Sequence, residues 1–174
     1  MNIFNRPKWF EREFPFGLPV EMLPNLIERL RGTPAVYRAR VKDLSRDRLT
    51  LRMEGSWSIQ ENVGHIVDLE ELWLGRVKDF ADGAETLRLA DISNSRTNEA
   101  NHNESSIDQI LDQLTQARPL LVKELEKLPD DVIERTALHP RLKTPMKIMD
   151  LAYFVAEHDV HHLVTISELH HRAA

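Results

Sequence analysis

The sequence predicts an all-α fold, a four-helix bundle in up-down-down-up order. Three observations carry this. Four segments repeat apolar residues at alternating spacings of three and four, the mark of a helix face turned to a core. Strand signals are scarce. One connection, residues 83–104, is far longer than a turn, and a bundle uses such a length as a crossover that can hold a short helix of its own. The short polar link between the first two helices makes those two antiparallel.

The first helix is expected over 20–44, with Leu23, Ile27, Leu30, Tyr37, Val41 and Leu44 on one stripe. Gly32-Thr33-Pro34 interrupts it, with Thr33 as a cap and Pro34 as a restart, so a kink that keeps the stripe in phase is expected. The second runs 58–82. It opens on a capping box of Ser58 and Glu61 and stops at Gly83. The third spans 105–128 through Ile107, Leu111, Leu114, Leu121, Leu125 and Leu128, bent at Pro119. The fourth spans 145–170, with Thr144 as cap, Pro145 in the first position and cations His170, His171 and Arg172 at its end. Ahead of this bundle (19–174) lies an aromatic arm, 1–18, carrying Phe4, Trp9, Phe10, Phe14 and Phe16. A flap packed on its own bundle is the preferred reading, because burying aromatics locally needs no partner. A lid over a pocket and a homodimer contact are the alternatives.

At 174 residues the chain can bury one sizeable core. No apolar run approaches the roughly 20 residues that span a bilayer, and the N-terminus lacks the apolar stretch of a signal peptide. The absence of cysteine excludes disulfides, thiolate ligands and a cysteine nucleophile, and it fits a cytoplasmic setting. A net charge of −5, with the basic residues of Arg29 to Lys42 spread around a helix, argues against nucleic-acid binding.

The fourth helix carries the strongest functional signal. Its apolar seam reads Ile148, Leu151, Val155, then His158 and His162, then Ile166 and Leu169. The two imidazoles sit one turn apart on the face that should be buried. Burying them costs about 1–3 kcal/mol each unless something satisfies them. His65 lies on the second helix among Ile59, Val63, Ile66, Leu69, Leu72 and Trp73, about 10 Å from that helix's start. His162 lies about 12 Å from the end of the fourth. If those helices are antiparallel, the three rings share a level, and a bundle interior is where such folds build metal sites. On spacing alone, a metal site and three hydrogen-bonded core histidines are equal alternatives. His161 falls off the seam and reads as a supporting or surface residue. His102, His139, His170 and His171 have no register and read as loop or surface residues.

The pattern WSIQENVGHIVDLEELW, followed later by AEHDVHHL, resembles the DinB/YfiT superfamily of small four-helix-bundle proteins over about residues 20–170. The resemblance implies a divalent metal, nickel or zinc, held by His65, His158 and His162. It also implies an activity among thiol S-transferases, mycothiol-dependent isomerases and metal-dependent hydrolases, and it does not imply DNA binding.

Three protein nitrogens leave coordination positions open, as in catalytic rather than structural zinc sites. Bound water or a substrate thiol could then act as the nucleophile, and without cysteine any thiol must arrive as a low-molecular-weight cosubstrate. The expected activity is a metal-dependent small-molecule transferase or hydrolase, and the resemblance implies the thiol S-transferase type. A metal-stabilised binding or interaction protein is the non-catalytic alternative. Around the site, Glu61 is explained by its capping box. Asp159 reads equally as a carboxylate orienting a histidine or as an exposed charge. Arg118 reads as a snorkelling surface cation or as the holder of an anionic substrate. Asn94, Thr97, Glu99, Asn101, His102 and Asn103 of the crossover are candidates for a pocket rim. HDVHH has Asp159 where a metalloprotease needs glutamate, and the paired E-x-x-H motifs of a di-iron bundle are missing, so both of those readings fail.

Overall fold

The computed structural model describes residues 4–53 and 55–172. Residues 1–3 of the arm, Glu54, Ala173 and Ala174 lie outside the described residues. The fold is mostly helical, with four long helices. Helix α1, Leu23–Val41, begins where Pro24 needs no donor, behind a single 3₁₀ turn at Val20–Met22. It runs continuously through Pro34, and its stripe stays in phase: Leu23, Leu26, Ile27, Leu30, Tyr37 and Val41 are all buried. Thr33 is no cap. Its hydroxyl contacts the Arg29 carbonyl and the Asp159 carboxylate, and so ties the helix to the bundle.

The link that follows holds a short helix α2, Arg46–Thr50, capped by the Ser45 side chain and pinned by buried Leu49. Helix α3, Ile59–Ala81, has the expected capping box of Ser58 and Glu61. It ends before Gly83, whose φ of +72° is the left-handed turn that glycine adopts without strain. The crossover contains a short helix α4, Ser95–Glu99, and a 3₁₀ turn at His102–Glu104. Helix α5, Ile107–Glu126, is capped by Ser106 and Gln109 and passes through Pro119 without a break.

The chain then departs from expectation. A short helix α6, Asp130–Ile133, leads to an antiparallel hairpin of β1, Ala137–Leu138, and β2, Pro145–Met146. Pro145 therefore lies in a strand, and Thr144 uses its carbonyl to accept from His139 N–H. The hairpin holds Ala137 and Met146 in the core, at 2% and 1% exposure, which a helix begun at 145 would not do. Helix α7, Ile148–Arg172, starts three residues later. Asp150 caps it by accepting the Lys147 N–H, and its other oxygen takes the N–H groups of Gly17 and Leu18. One carboxylate thus starts α7 and pins the arm.

The arm lies along α7. Trp9, Phe14 and Phe154 form a triangle of rings 4.9–5.1 Å apart, and Arg12 bonds Glu157 at 2.7 Å. No described helix is long and apolar enough to cross a membrane.

The core falls into two apolar clusters. One takes Leu23–Leu30 of α1, Trp73–Phe80 of α3, Leu121–Leu125 of α5 and Ile148–Ala156 of α7. The other takes Tyr37 and Val41, Ile59–Ile66, Ile110–Leu114, then Ile166 and Leu169. The stretches skipped between them contain Thr33, Glu70, Arg118, His158, Asp159 and His162, all buried. The bundle is therefore crossed by a polar layer, and the candidate site belongs to it.

Candidate metal centre

Each of the three seam histidines reaches the same point. His65 comes from α3, His158 and His162 from α7. One ring nitrogen of each lies within 4.8 Å of the others, and all three residues are buried. Ring centroids stand 4.6 Å apart for His158 and His162, 4.8 Å for His65 and His162, and 5.4 Å for His65 and His158. The register comes from contacts that climb α3 while descending α7: Asn62 meets His162, and Trp73 meets Phe154.

Hydrogen bonds from behind set two of the tautomers. The Thr97 hydroxyl donates to Asp68 at 2.8 Å, so it accepts from Nδ1–H of His65 at 2.9 Å. Nδ1 of His162 donates to Asn62 Oδ1 at 2.8 Å, and the Asn62 amide group donates to the Ser58 carbonyl. Both rings then hold an Nε2 lone pair toward the centre, the arrangement that neighbouring partners impose on metal-binding histidines. Nδ1 of His158 is buried with no partner. Burial holds the three rings neutral. It lowers the pKa of His65 to about 4, and with the neighbouring imidazoles it takes His158 and His162 well below the ordinary value.

Behind His65 the support is deeper than expected. His102 is buried and bonds Asp68 at 2.8 Å, and its backbone carbonyl accepts from Gln60. Its ring lies so close to the α3 backbone that a Cβ at Gly64 would meet it at 2.3 Å. The signal in the sequence was that glycine, set in mid-helix beside His65. Of the other crossover candidates, Asn94 lines the cavity and Asn103 accepts from Ser58. Glu99 and Asn101 are exposed and do not reach it.

The centre forms the floor of a cavity of about 450 Å³, walled by Trp9, Trp57, Leu69, Leu72, Trp73 and Phe154. His161 is partly buried. It lines this wall, 5.4 Å from Trp9, because the arm covers it. It stands apart from the three-histidine group. His139 is likewise not a surface residue: it is 2% exposed, held in the hairpin loop at the far end of the cavity. His170 and His171 are exposed, as expected.

Two further expectations fail together. Arg118 is neither a snorkelling cation nor open to an anion, since it is completely buried between Glu70 and Asp159 with bonds of 2.5–3.2 Å. Asp159 therefore orients no histidine. It holds Arg118 and Thr33, and its carbonyl accepts from Tyr37. Burial disfavours the Arg118 charge, but Asp159 and Glu70 outweigh that and raise its pKa. Nothing in the sequence marked Glu70, whose burial against Arg118 depends on how two helices meet. Glu61 does fill its capping box, and it also pairs with Arg52.

Comparison with curated proteins gives no match. Among solved structures, one similar chain is YfiT from Bacillus subtilis, described as a probable metal-dependent hydrolase with an unusual four-helix bundle topology. It superposes with a TM-score of 0.79 at 21% identity, over 93% of each chain. A second is a mycothiol-dependent maleylpyruvate isomerase, with a TM-score of 0.64 at 14% identity, over 84% of this chain and 60% of the isomerase. The present chain thus spans less than two thirds of that enzyme. Residues 29–166, which hold all three seam histidines, match the DinB superfamily, and the chain belongs to that family.

Proposed function

We propose that His65, His158 and His162 together hold one divalent metal, zinc or nickel, and that the protein is a metal-dependent transferase or hydrolase of a small molecule. Thiol transfer is preferred over hydrolysis. The single observation that carries this is the convergence of three buried, neutral imidazoles on the floor of a cavity, one of them with a ring nitrogen that has no protein partner. Neutral nitrogens are what a divalent ion requires. The descriptions of YfiT as metal-dependent and of the isomerase as mycothiol-dependent support the reading.

When bound, the ion supplies a Lewis-acidic position at which water or a thiol loses its proton near neutral pH. The chain does the rest. Asn62 and Thr97 fix the ring orientations, and Asp68 and His102 hold Thr97 in place. Trp57, Trp73 and Phe154 exclude water from the floor. The Trp9 ring, which meets that of His158 edge-on at 4.9 Å, supports reading the 1–18 arm as a flap that also roofs the site. The apolar wall suits a small organic electrophile, and a thiol would have to come from the cytoplasm, where we place the protein. The same reading takes the bundle as up-down-down-up. Lower-numbered apolar residues of α1 and α7 share one cluster with higher-numbered ones of α3 and α5, which supports that order.

The alternative is a metal-stabilised binding protein without activity. A fourth protein ligand and a filled interior would favour it. Among the described residues the group has three members, and a cavity adjoins it. The test has two arms. Metal analysis of untagged protein should find stoichiometric metal that is lost in His162→Ala and kept in His161→Ala. Incubation with an electrophile and a panel of low-molecular-weight thiols should give a thiol-dependent rate that His158→Ala abolishes. Metal that survives His162→Ala but not His161→Ala would mean a different ligand set. Equal rates with and without His158 would favour the binding protein.

A further inference from the structure

At the end of the cavity away from the three histidines, hydrogen-bond donors outnumber acceptors. Arg76 is 1% exposed and lines the cavity, yet among the described residues no carboxylate pairs with it. Its Nε and one terminal nitrogen share a single acceptor, the Arg88 carbonyl, at 3.2 Å. Its other terminal nitrogen faces only Nε2 of His139, at 3.3 Å.

That last contact is compromised. Guanidinium nitrogens only donate, so Nε2 of His139 would have to accept. Nδ1 of the same ring faces two further donors, the backbone N–H groups of Arg141 and Leu142, at 3.3 and 3.1 Å. A neutral imidazole has one lone pair, so it can serve one side and must leave donors unanswered on the other. Protonation would remove the acceptor entirely. Burial and the two arginines hold the ring neutral, with its pKa lowered to about 3.

Two more donors nearby have no hydrogen-bond partner: Nη2 of Arg141, whose guanidinium meets the Phe10 ring at 5.0 Å, and Nε1 of Trp73, both buried and both on residues of this same cavity. Asp91 also lines it, but its carboxylate is taken by the N–H groups of Ser93 and Ser95 and the Ser93 hydroxyl. Asp79 is the nearest anion acting on Arg76, but both of its oxygens are bonded to Arg88. Two cations and an indole N–H therefore converge with no free carboxylate to bond them, where leaving them unsatisfied costs most. Arg76 lies over the Trp73 ring at 5.4 Å, and Trp73 meets His158 at 5.7 Å, so one aromatic ring separates this end from the histidine floor. The mouth adds exposed apolar side chains, Phe10, Leu89 and Ile92.

We propose that Arg76 and Arg141, with the Trp73 indole, form a carboxylate subsite, and that the substrate is a small apolar acid whose carboxylate seats there while its other end reaches the three histidines. Planar guanidinium forks match a carboxylate in shape as well as charge. The intervening wall of Leu69, Leu72 and Phe154 takes the apolar part of the molecule. This deepens the proposed function, on which it rests for what happens at the histidine end. The anion site itself does not depend on that chemistry.

The experiment is calorimetric titration of the purified protein with phenylacetate, its neutral amide phenylacetamide, and phenyl phosphate, with tryptophan fluorescence followed in parallel. Phenylacetate should bind at least about tenfold tighter than the amide, a difference of about 1.4 kcal/mol. The preference should fall below about twofold in Arg76→Gln and in Arg141→Gln, and it should persist in His158→Ala. Should Arg76→Gln fail to fold, Arg141→Gln, at a partly exposed position, decides alone. Equal affinities for acid and amide, or no binding of either, overturn the subsite. So does a preference that survives both arginine variants. A preference lost in His158→Ala but kept in the arginine variants would mean that the acid binds a metal instead. Tighter binding of phenyl phosphate would overturn the carboxylate assignment. Protein that contains no metal but keeps the arginine-dependent preference would refute the proposed function and leave the subsite standing.

Discussion

His158 and Asp159 are neighbours on α7, both buried, and they end in opposite surroundings. Asp159 belongs to a closed group. Its carboxylate holds Arg118 and Thr33, Arg118 holds Glu70, and no polar side-chain atom of the four is left without a partner among the described residues. His158 belongs to an open group. Its Nδ1 has no partner, and the cavity beside it carries further unanswered donors on Trp73 and Arg141. Both groups occupy the same polar layer between the same two apolar clusters. Buried polarity that is fully answered from within specifies how helices meet; buried polarity left unanswered on one side has been left for something that is not part of the chain. The first should therefore govern stability and the second binding, and each can be tested against the other.

The largest effect should come from breaking the closed group. Arg118→Met removes the one cation and leaves Glu70 and Asp159 buried and unpaired, which should cost about 3–5 kcal/mol in denaturant unfolding. Replacing all three charges together, with Arg118→Met, Glu70→Leu and Asp159→Leu, should recover most of that loss, because no charge is then stranded. The contrast breaks down if Arg118→Met unfolds like the parent, or if the triple variant is no better than the single one.

A smaller effect, and one on binding, is expected at the support of the open group. Thr97→Val keeps the shape of the side chain but removes the hydroxyl that joins His65 to Asp68. Loss of such a partner weakens metal binding by about 10–100-fold. Competition with a chromophoric chelator would measure it. An unchanged affinity would mean that Thr97 serves the fold and not the site.

The sequence made some of this legible. The α3 capping box, the Gly83 stop, the stripe of α1 from Leu23 to Val41 and the histidine seam of α7 are local patterns and appear as read, while Leu44 falls beyond the end of α1. The hairpin was missed because its strands are two residues long and paired across a loop, and Thr144-Pro145 imitates a helix start. The three histidines could be brought together from helix register alone. The roles of Arg118, Asp159, His102 and His139 are not legible in the sequence because they depend on long-range pairing. Arg118 meets a glutamate 48 residues back and an aspartate 41 residues on, and no periodicity encodes such a meeting. Arg76 gives no signal either, since on a helical wheel an arginine near the end of α3 resembles any solvated one.

The smallest effect on stability, and the sharpest test of the contrast, is at His158. In the metal-free protein its ring is buried beside two other imidazoles, with one nitrogen unanswered. Leucine is close in size and carries no polar atom to strand. His158→Leu should therefore leave the stability of the metal-free protein within about 1 kcal/mol of the parent, or raise it, since replacing a poorly satisfied buried polar group by an apolar one is close to neutral. The same change should abolish stoichiometric metal and, with it, any stabilisation that added metal gives the parent, which grows as the logarithm of free metal over its dissociation constant. Melting temperatures of both proteins, each with chelator and with added zinc or nickel, would show it. The parent should gain several degrees from metal and the variant nothing. A loss of 3 kcal/mol or more without metal would place His158 with Arg118 among the groups that hold the fold. The two neighbours on α7 would then no longer differ in kind.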